Sequence, residues 1–152
     1  MVRGIMRNRL DFAVTKGCDA VDPDNVDGYA NANGLGLTAN DQLSYNRFLA
    51  SEAHVRGLAV GLKNDVEQIP ELIGSFDFTV NEECFAYNEC DEVAAFVRAS
   101  KPVFQIEYAS AGRRAKRKAN VICPRGNQLG FQTQIKQLNL GAARIDCQSR
   151  GT

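Results

Sequence analysis

The sequence lacks the features that mark several large classes of protein. No apolar run approaches the roughly 20 residues that a membrane-spanning helix needs, which excludes an integral membrane protein. The first residues run directly into a polar, basic stretch, so no secretory signal peptide is predicted; the location is left unknown, and would be cytoplasmic if the chain is expressed as written. One histidine and no Cys-x-x-Cys motif leave little for a zinc site, so no metal is predicted.

A net charge of either sign is also missing. The 18 Lys and Arg residues balance the 18 Asp and Glu residues, so no general attraction to nucleic acid is expected. Five of the basic residues nevertheless fall within residues 113–118. Without those five, 13 basic residues face 18 acidic ones, a net charge of −5. We therefore predict an acidic protein with one very basic loop. Because no base-stacking aromatic accompanies this run, we predict no nucleic-acid partner.

The overall composition is that of an ordinary globular protein. Hydrophobic residues make up 44% of the 152 residues and charged residues 24%. This composition argues against disorder, collagen-like repeats and coiled coils. A chain of this length is long enough for a real core, and we predict a single domain over residues 1–152.

The five cysteines are odd in number and too few for a disulfide-rich miniprotein. Cys84 and Cys90 are close enough in sequence to tie a loop together, which would imply an oxidising compartment. Two free, buried thiols fit the same spacing equally well.

Hydrophobic periodicity predicts helices that alternate with short apolar strands. A helix begins almost at residue 1 and ends at Gly17, and Thr38 and Asp41 form a capping signal for a second helix that ends at Gly57. Further helices are predicted from residue 64 to 73 and over 91–99, and strands over 18–21, 58–62, 76–80, 102–108 and 131–136. This alternation predicts an α/β fold built from parallel βαβ units.

Titratable residues follow each of the first four predicted strands. The carboxyl ends of parallel strands gather on one face of the fold, which is where chemistry is found. Asp24 and Glu82 each follow a buried strand, and a pair of carboxyl groups can cleave a glycosidic bond. A calcium loop starting at Asp22 is excluded by its spacing, because position 12 would be Asn33. A purely structural role for such side chains in turns stays open.

Five segments together resemble a known family. They are VDPDNVDGY (21–29), GLAVGLKND (57–65), FDFTVNEECF (76–85), NEC (88–90) and KPVFQIEY (101–108). In this order they resemble the endo-α-1,4-polygalactosaminidases, the glycoside hydrolases of family 114, and the resemblance covers about residues 9–147.

The resemblance implies a (β/α)8 barrel whose acidic cleft holds a polymer of α-1,4-linked galactosamine. Amino sugars are cationic near neutral pH, which agrees with the acidic excess outside the basic run. Asp24 and Glu82 match the family's catalytic acids. Further residues at the matching strand ends are implied to bind substrate: Asn25, Asp27, Tyr29, Lys63, Asn81, Glu107 and Tyr108. The resemblance implies no metal or organic cofactor, and the family's usually extracellular substrate favours the Cys84–Cys90 disulfide.

The chain is short for such a barrel, which needs eight strands and about 250 residues. Five strands are predicted, so we expect an incomplete barrel that corresponds to about strands four to eight, with the first three missing. Open sheet edges of this kind could self-associate. Two functions therefore stay open: a hydrolase of galactosamine polysaccharide, or a truncated, inactive remnant or non-catalytic polysaccharide-binding fragment.

Overall fold

The structure, a computed structural model, describes residues 2–148. The chain divides between Phe78 and Thr79 into two compact units, which are described separately. The single domain expected over residues 1–152 stays a prediction. Within residues 2–148 no helix is both long enough and apolar enough to cross a membrane.

The first unit contains two parallel strands and three α-helices. In chain order its elements are α1 (Val2–Thr15), β1 (Ala20–Val21), a 3₁₀ turn (Gly28–Ala30), α2 (Ala39–Val55), β2 (Ala59–Lys63), a second 3₁₀ turn (Val66–Gln68) and α3 (Ile69–Leu72). Ala20 pairs with Ala59 and Val21 with Val60. The polar residues that follow β1 therefore lie at the same sheet edge as the end of β2.

Local sequence signals explain how α2 and β2 are placed. The Thr38 hydroxyl accepts a hydrogen bond from the Asp41 amide, and the Asp41 carboxylate accepts one from the Thr38 amide, so the predicted capping box is confirmed. Gly61 lies in the middle of β2, where a Cβ would come within 2.3 Å of the Phe78 ring. Glycine is required there because the ring packs directly on the strand backbone.

The second unit contains four strands and four α-helices among the described residues. Its elements are β3 (Phe78–Glu82, beginning at the last residue of the first unit), α4 (Cys84–Tyr87), α5 (Cys90–Val93), α6 (Ala95–Arg98), β4 (Val103–Tyr108), α7 (Arg113–Gln128), β5 (Gln132–Lys136) and β6 (Arg144–Asp146). β3, β4 and β5 are parallel neighbours, with Glu82 opposite Ile106 and Tyr108 opposite Lys136. β6 pairs antiparallel with β5. The ends of β3, β4 and β5 therefore deliver their side chains to one edge.

The basic run forms the start of a helix, and the prediction of a basic loop is wrong. α7 begins at Arg113 and buries Ala119, Ile122, Cys123 and Gly126, which recur at helical spacing. Most of the basic residues lie on the exposed first turns of this helix, before the apolar face begins. Long basic side chains can stay solvated on the surface of a helix. A high density of basic residues is therefore compatible with a helix and does not by itself indicate a loop.

Other elements differ from prediction in extent. The predicted strand 18–21 is formed by its last two residues alone, and the single helix expected over 91–99 is replaced by the short helices α5 and α6. The helix expected from residue 64 is a 3₁₀ turn followed by the single turn of α3. β6 was not predicted, and it raises the strands among the described residues from five to six.

Two disulfides stabilise the second unit. Cys84 and Cys90, whose redox state the spacing left open, are joined with a Cα–Cα distance of 4.8 Å. Cys123 of α7 is joined to Cys147, just after β6, in a pairing that the sequence did not suggest. This second bond lies within a core cluster that includes Ile122 and Ile135. Cys18 is exposed and unpaired.

Candidate active site

Asp24 and Lys63 meet at the edge of the first unit. Asp24 lies three residues after β1, and Lys63 is the last residue of β2. The Lys63 Nζ lies 3.4 Å from Asp24 Oδ1, and the lysine side chain is only 12% exposed while the aspartate side chain is 66% exposed. A largely buried cation thus faces a carboxylate that remains accessible to solvent, as expected for parallel strands whose carboxyl ends lie side by side.

The loop that carries Asp24 is anchored from beneath by α2. Asn46 of α2 is fully buried, and its Nδ2 donates to the Val26 carbonyl at 2.9 Å and to Asp65 Oδ2 at 2.8 Å. Gln42, one turn earlier, donates from Nε2 to Asn46 Oδ1 at 2.8 Å. These three hydrogen bonds fix Val26 two residues after Asp24 and join the loop to the end of β2.

The sequence did not assign Asn46, Gln42 or Asp65 to the site. The available signal was a pair of polar residues at i and i+4 on α2, on a helix face that also buries Leu49 and Ala53. Polar side chains that share a buried face need hydrogen-bond partners from elsewhere in the fold.

Asp65 is a buried carboxyl group in an acidic environment. Burial, reinforced by the nearby charge of Asp27, raises the pKa of Asp65 to about 7, while the hydrogen bond from Asn46 opposes the shift. Asp65 Oδ1 is buried and has no hydrogen-bond partner among the described residues. Asp65 therefore exchanges a proton near neutral pH, unlike an ordinary surface aspartate.

Tyr29 and Asp27 lie in the same loop. The Tyr29 hydroxyl donates to Glu67 Oε2 at 3.1 Å. Burial and the neighbouring carboxylates, including Glu67 and Asp65, raise the pKa of Tyr29, so its hydroxyl remains a donor. A cleft of about 600 Å³ runs beside the loop and is lined by residues that include Asp22, Asp24 and Asn25. The candidate site residues of the first unit, Asp24, Asn25, Asp27, Tyr29 and Lys63, thus belong to the loop after β1 and the end of β2.

Glu82 and Tyr108 meet at the edge of the second unit. Glu82 ends β3 and Tyr108 ends β4, and the Tyr108 hydroxyl donates to Glu82 Oε1. Both side chains are half-buried. A hydroxyl that donates to a carboxylate fixes its orientation and stabilises its charged form.

Glu107 lies behind this pair and is fully buried. Its Oε2 forms an ion pair with Lys118 Nζ at 2.7 Å, and its Oε1 accepts from the Phe85 amide at 3.0 Å and from Gln105 Nε2 at 2.9 Å. A buried carboxylate of this kind is tolerable because a cation and two donors surround it.

Asn81 is likewise fully buried, and its Oδ1 accepts from the Cys84 amide at 3.2 Å. Burial raises the pKa of Glu89, and a hydrogen bond with Asn81 opposes that shift. Asn81 and Glu107 therefore contact the protein chain itself, while Glu82 and Tyr108 remain partly open to solvent.

Beside Glu82 the backbone turns sharply. Glu83 adopts the left-handed conformation at φ 63°, and its amide donates to the Ile106 carbonyl at 2.7 Å. The Cys84–Cys90 disulfide closes the loop that follows, and the Arg125 guanidinium lies 4.6 Å from the Phe85 ring centroid. A cleft of about 510 Å³ adjoins this turn, lined by residues that include Glu83, Tyr108 and Asn139.

No group of three or more His, Cys, Asp or Glu side chains suited to a metal ion occurs within residues 2–148.

The comparison with known families identifies the chain. The model of glycoside-hydrolase family GH114 matches residues 1–152. The chain belongs to glycoside-hydrolase family GH114. The resemblance drawn from the sequence motifs is thereby confirmed.

Solved structures agree with this family assignment. The chain is similar to Aspergillus fumigatus Ega3, solved in complex with galactosamine, with 46% identity, a TM-score of 0.89, and coverage of 96% of this chain and 61% of that one. It also shares its fold with the glycoside hydrolase domain of PelA from Pseudomonas aeruginosa, with 16% identity, a TM-score of 0.66, and coverage of 94% and 62%. Among curated protein sequences, none matches the chain.

These structures confirm the predicted fold class. The GH114 chain is α/β, of the (β/α)8 barrel type, and it spans about 61% of the length of Ega3.

Proposed function

We propose that the protein is a glycoside hydrolase that cleaves α-1,4-linked galactosamine polysaccharide, with Asp24 and Glu82 as its two catalytic carboxyl groups. The observation that carries this proposal is the 46% identity, over 96% of the chain, to a GH114 structure that was solved with galactosamine. The proposal assigns one acid to each unit of the chain.

The chemistry requires two carboxyl groups with different duties. One protonates the leaving glycosidic oxygen, and the other acts as a base or a nucleophile. Asp24 and Glu82 have different immediate partners: the Asp24 carboxylate faces Lys63, and the Glu82 carboxylate accepts a hydrogen bond from Tyr108.

The proposed substrate contacts follow the same two edges. In the first unit they are Asn25, Asp27, Tyr29 and Lys63, and in the second unit Tyr108, with Asn81 and Glu107 behind the surface that meets the sugar. Carboxylates around Tyr29 support recognition of a sugar ammonium group, since Asp27, Asp65 and Glu67 all act on that tyrosine electrostatically.

We also propose that the protein acts outside the cell. Two disulfides among its five cysteines support an oxidising compartment.

We further propose that the protein self-associates through the edges of its sheet. A single monomeric species in sedimentation at all concentrations would contradict this proposal.

A second candidate function is polysaccharide binding without cleavage, or an inactive remnant. The observation that favours it is coverage, because the chain spans only about 61% of Ega3. Fewer strands and helices than in Ega3 are then available to form a substrate cleft.

One experiment separates the two functions. Purified 152-residue protein is incubated with α-1,4-galactosamine polymer, and product release is measured beside Asp24→Asn and Glu82→Gln. Release that disappears in both variants supports the hydrolase. Retention on immobilised polymer without release from folded, soluble protein identifies the non-catalytic function instead.

A further inference from the structure

Lys118 differs from the other basic residues at the start of α7. The Lys118 side chain is only 26% exposed. The other four basic residues are exposed: Arg113, Arg114, Lys116 and Arg117. The helix therefore directs one member of the basic run inward, one turn after Arg114.

The Lys118 ammonium group lies among three oxygens. Its Nζ is 2.7 Å from Glu107 Oε2 and 3.9 Å from Glu83 Oε1, and it donates to the Tyr108 carbonyl at 2.9 Å. An ammonium group has three donors and no acceptor, which suits it to hold several oxygens at once.

The residues that carry these oxygens are connected to Glu82. Tyr108 donates its hydroxyl to the Glu82 carboxylate, and Glu83 follows Glu82 directly in the chain. Glu107 precedes Tyr108 at the end of β4 and is the buried anion that draws the ammonium group in.

We propose that Lys118 is a positioning residue that orients Glu82 by fixing Tyr108. The inference rests on the proposed function for its effect on catalysis, although the orientation of Glu82 can be measured without substrate. Lys118 holds the backbone carbonyl of the residue whose hydroxyl meets the proposed acid. Its removal takes a hydrogen bond from the Tyr108 backbone, and we expect the Tyr108 hydroxyl to move relative to Glu82 as a result.

The test compares Lys118→Met with Lys116→Met, a matched loss of one lysine from the same turn of α7. Two further variants complete it: Tyr108→Phe, and Tyr108→Phe combined with Lys118→Met. The kinetic readout is kcat and KM on galactosamine polymer. The structural readout is the ¹³C carboxyl signal of Glu82 at fixed pH, assigned by its loss in Glu82→Gln.

We expect Lys118→Met to lower kcat by roughly 10- to 100-fold with a smaller change in KM, because misplacement of a reacting group acts on the chemical step. The Glu82 signal moves in the same direction as in Tyr108→Phe. In the Tyr108→Phe background the Lys118 substitution adds little, since the two residues act as a unit. Lys116→Met changes neither readout.

An unmoved Glu82 signal in folded Lys118→Met protein overturns the inference, whatever the activity. The inference is also overturned if Lys118→Met lowers kcat by the same factor in the wild type and in the Tyr108→Phe variant. If wild-type protein releases no product, the proposed function fails, while the Glu82 signal still decides the inference.

Lys118→Met leaves the Glu107 carboxylate buried without its cation, so that variant could fail to fold. Lys118→Met combined with Glu107→Gln removes both charges. A purely structural role predicts that this pair recovers the wild-type Glu82 signal as well as stability. A positioning role predicts that stability recovers and the signal remains displaced.

Discussion

The two proposed acids have different surroundings. Asp24 projects from a loop after a two-residue strand, with a largely exposed carboxylate that faces the ammonium group of Lys63. Glu82 ends a five-residue strand, is half-buried and accepts a tyrosine hydroxyl. In the first unit a buried amide, Asn46, supports the loop, and in the second a buried ion pair supports the strand end. Two carboxyl groups in different environments can take different chemical duties.

The largest expected effect comes from removal of either acid. Asp24→Asn and Glu82→Gln should each lower kcat by about 10²–10⁴-fold, the usual contribution of a positioned acid or base. Thermal unfolding should change little for Asp24→Asn, whose side chain is exposed. Turnover on galactosamine polymer is the measurement, and full activity in either variant would remove that residue from the proposed pair.

The two disulfides separate stability from activity within the second unit. Replacement of Cys123 and Cys147 by alanine opens a loop with a sequence separation of 24 and should cost about 3 kcal/mol of unfolding free energy. Replacement of Cys84 and Cys90 opens a separation of only 6 and should cost about 2 kcal/mol. The shorter loop begins two residues after Glu82, so opening it should lower kcat more. Denaturant unfolding and turnover on both variants provide the measurement, and the opposite order in both readouts would contradict the comparison.

In the first unit, Asn46→Ala tests the support of the Asp24 loop. It leaves the Val26 carbonyl and the Asp65 carboxyl without a buried donor, and we expect a loss of about 1–3 kcal/mol. Asn40→Ala, an exposed asparagine on the same helix, is the matched control and should change the unfolding free energy by less than about 0.5 kcal/mol. Equal losses in the two variants would show that Asn46 does not anchor the loop.

The effect of Asp65 on stability depends on pH. Its folded pKa of about 7 lies above the ordinary value of 3.8, so the folded state binds the extra proton between these two values. Stability contributed by this group is therefore present at low pH and is lost as the pH rises through 7, by at most about 1.4 kcal/mol per pH unit. Asp65→Asn should match the wild type near pH 4 and become relatively more stable towards pH 8. Equilibrium unfolding across that range measures the difference, and parallel curves would contradict the shifted pKa.

Asp41 is a control for Asp65, because its pKa is shifted in the opposite direction. Its hydrogen bonds with Thr38 lower the pKa of its carboxyl group, so the capping box contributes stability that is lost as the pH falls through that lowered value. Asp41→Asn should therefore differ from the wild type more at neutral pH than at low pH.

The sequence predicted the parts of the fold that depend on local patterns. The Thr38–Asp41 capping box, the strand at β2 and the strand at β4 follow from capping chemistry and apolar runs that lie within a few residues. The same runs placed Asp24 and Glu82 after strands. Asp24 does follow β1, whereas β3 extends two residues further than predicted and ends at Glu82 itself. Their chemical roles came from the family resemblance, and they stay predictions.

The parts that were missed depend on distant contacts. The first turns of α7 were predicted as a loop because they are mostly basic, and the buried residues of the helix begin only at Ala119. The Cys123–Cys147 bond needs β6 to fold back antiparallel on β5, which no local signal indicates. Lys118 looks like any other residue of the basic run until Glu107 is known to be buried beside it.

The Cys123–Cys147 bond also changes how the chain responds to force. Under tension applied at its ends, the backbone between Cys123 and Cys147 cannot lengthen while the bond is intact, because the load passes through the sulfur atoms. A separation of 24 residues corresponds to about 80 Å of extended chain that is withheld until the bond is reduced. The end of α7, all of β5 and β6 lie inside this covalent ring, so a protease cut within it would leave the two pieces joined.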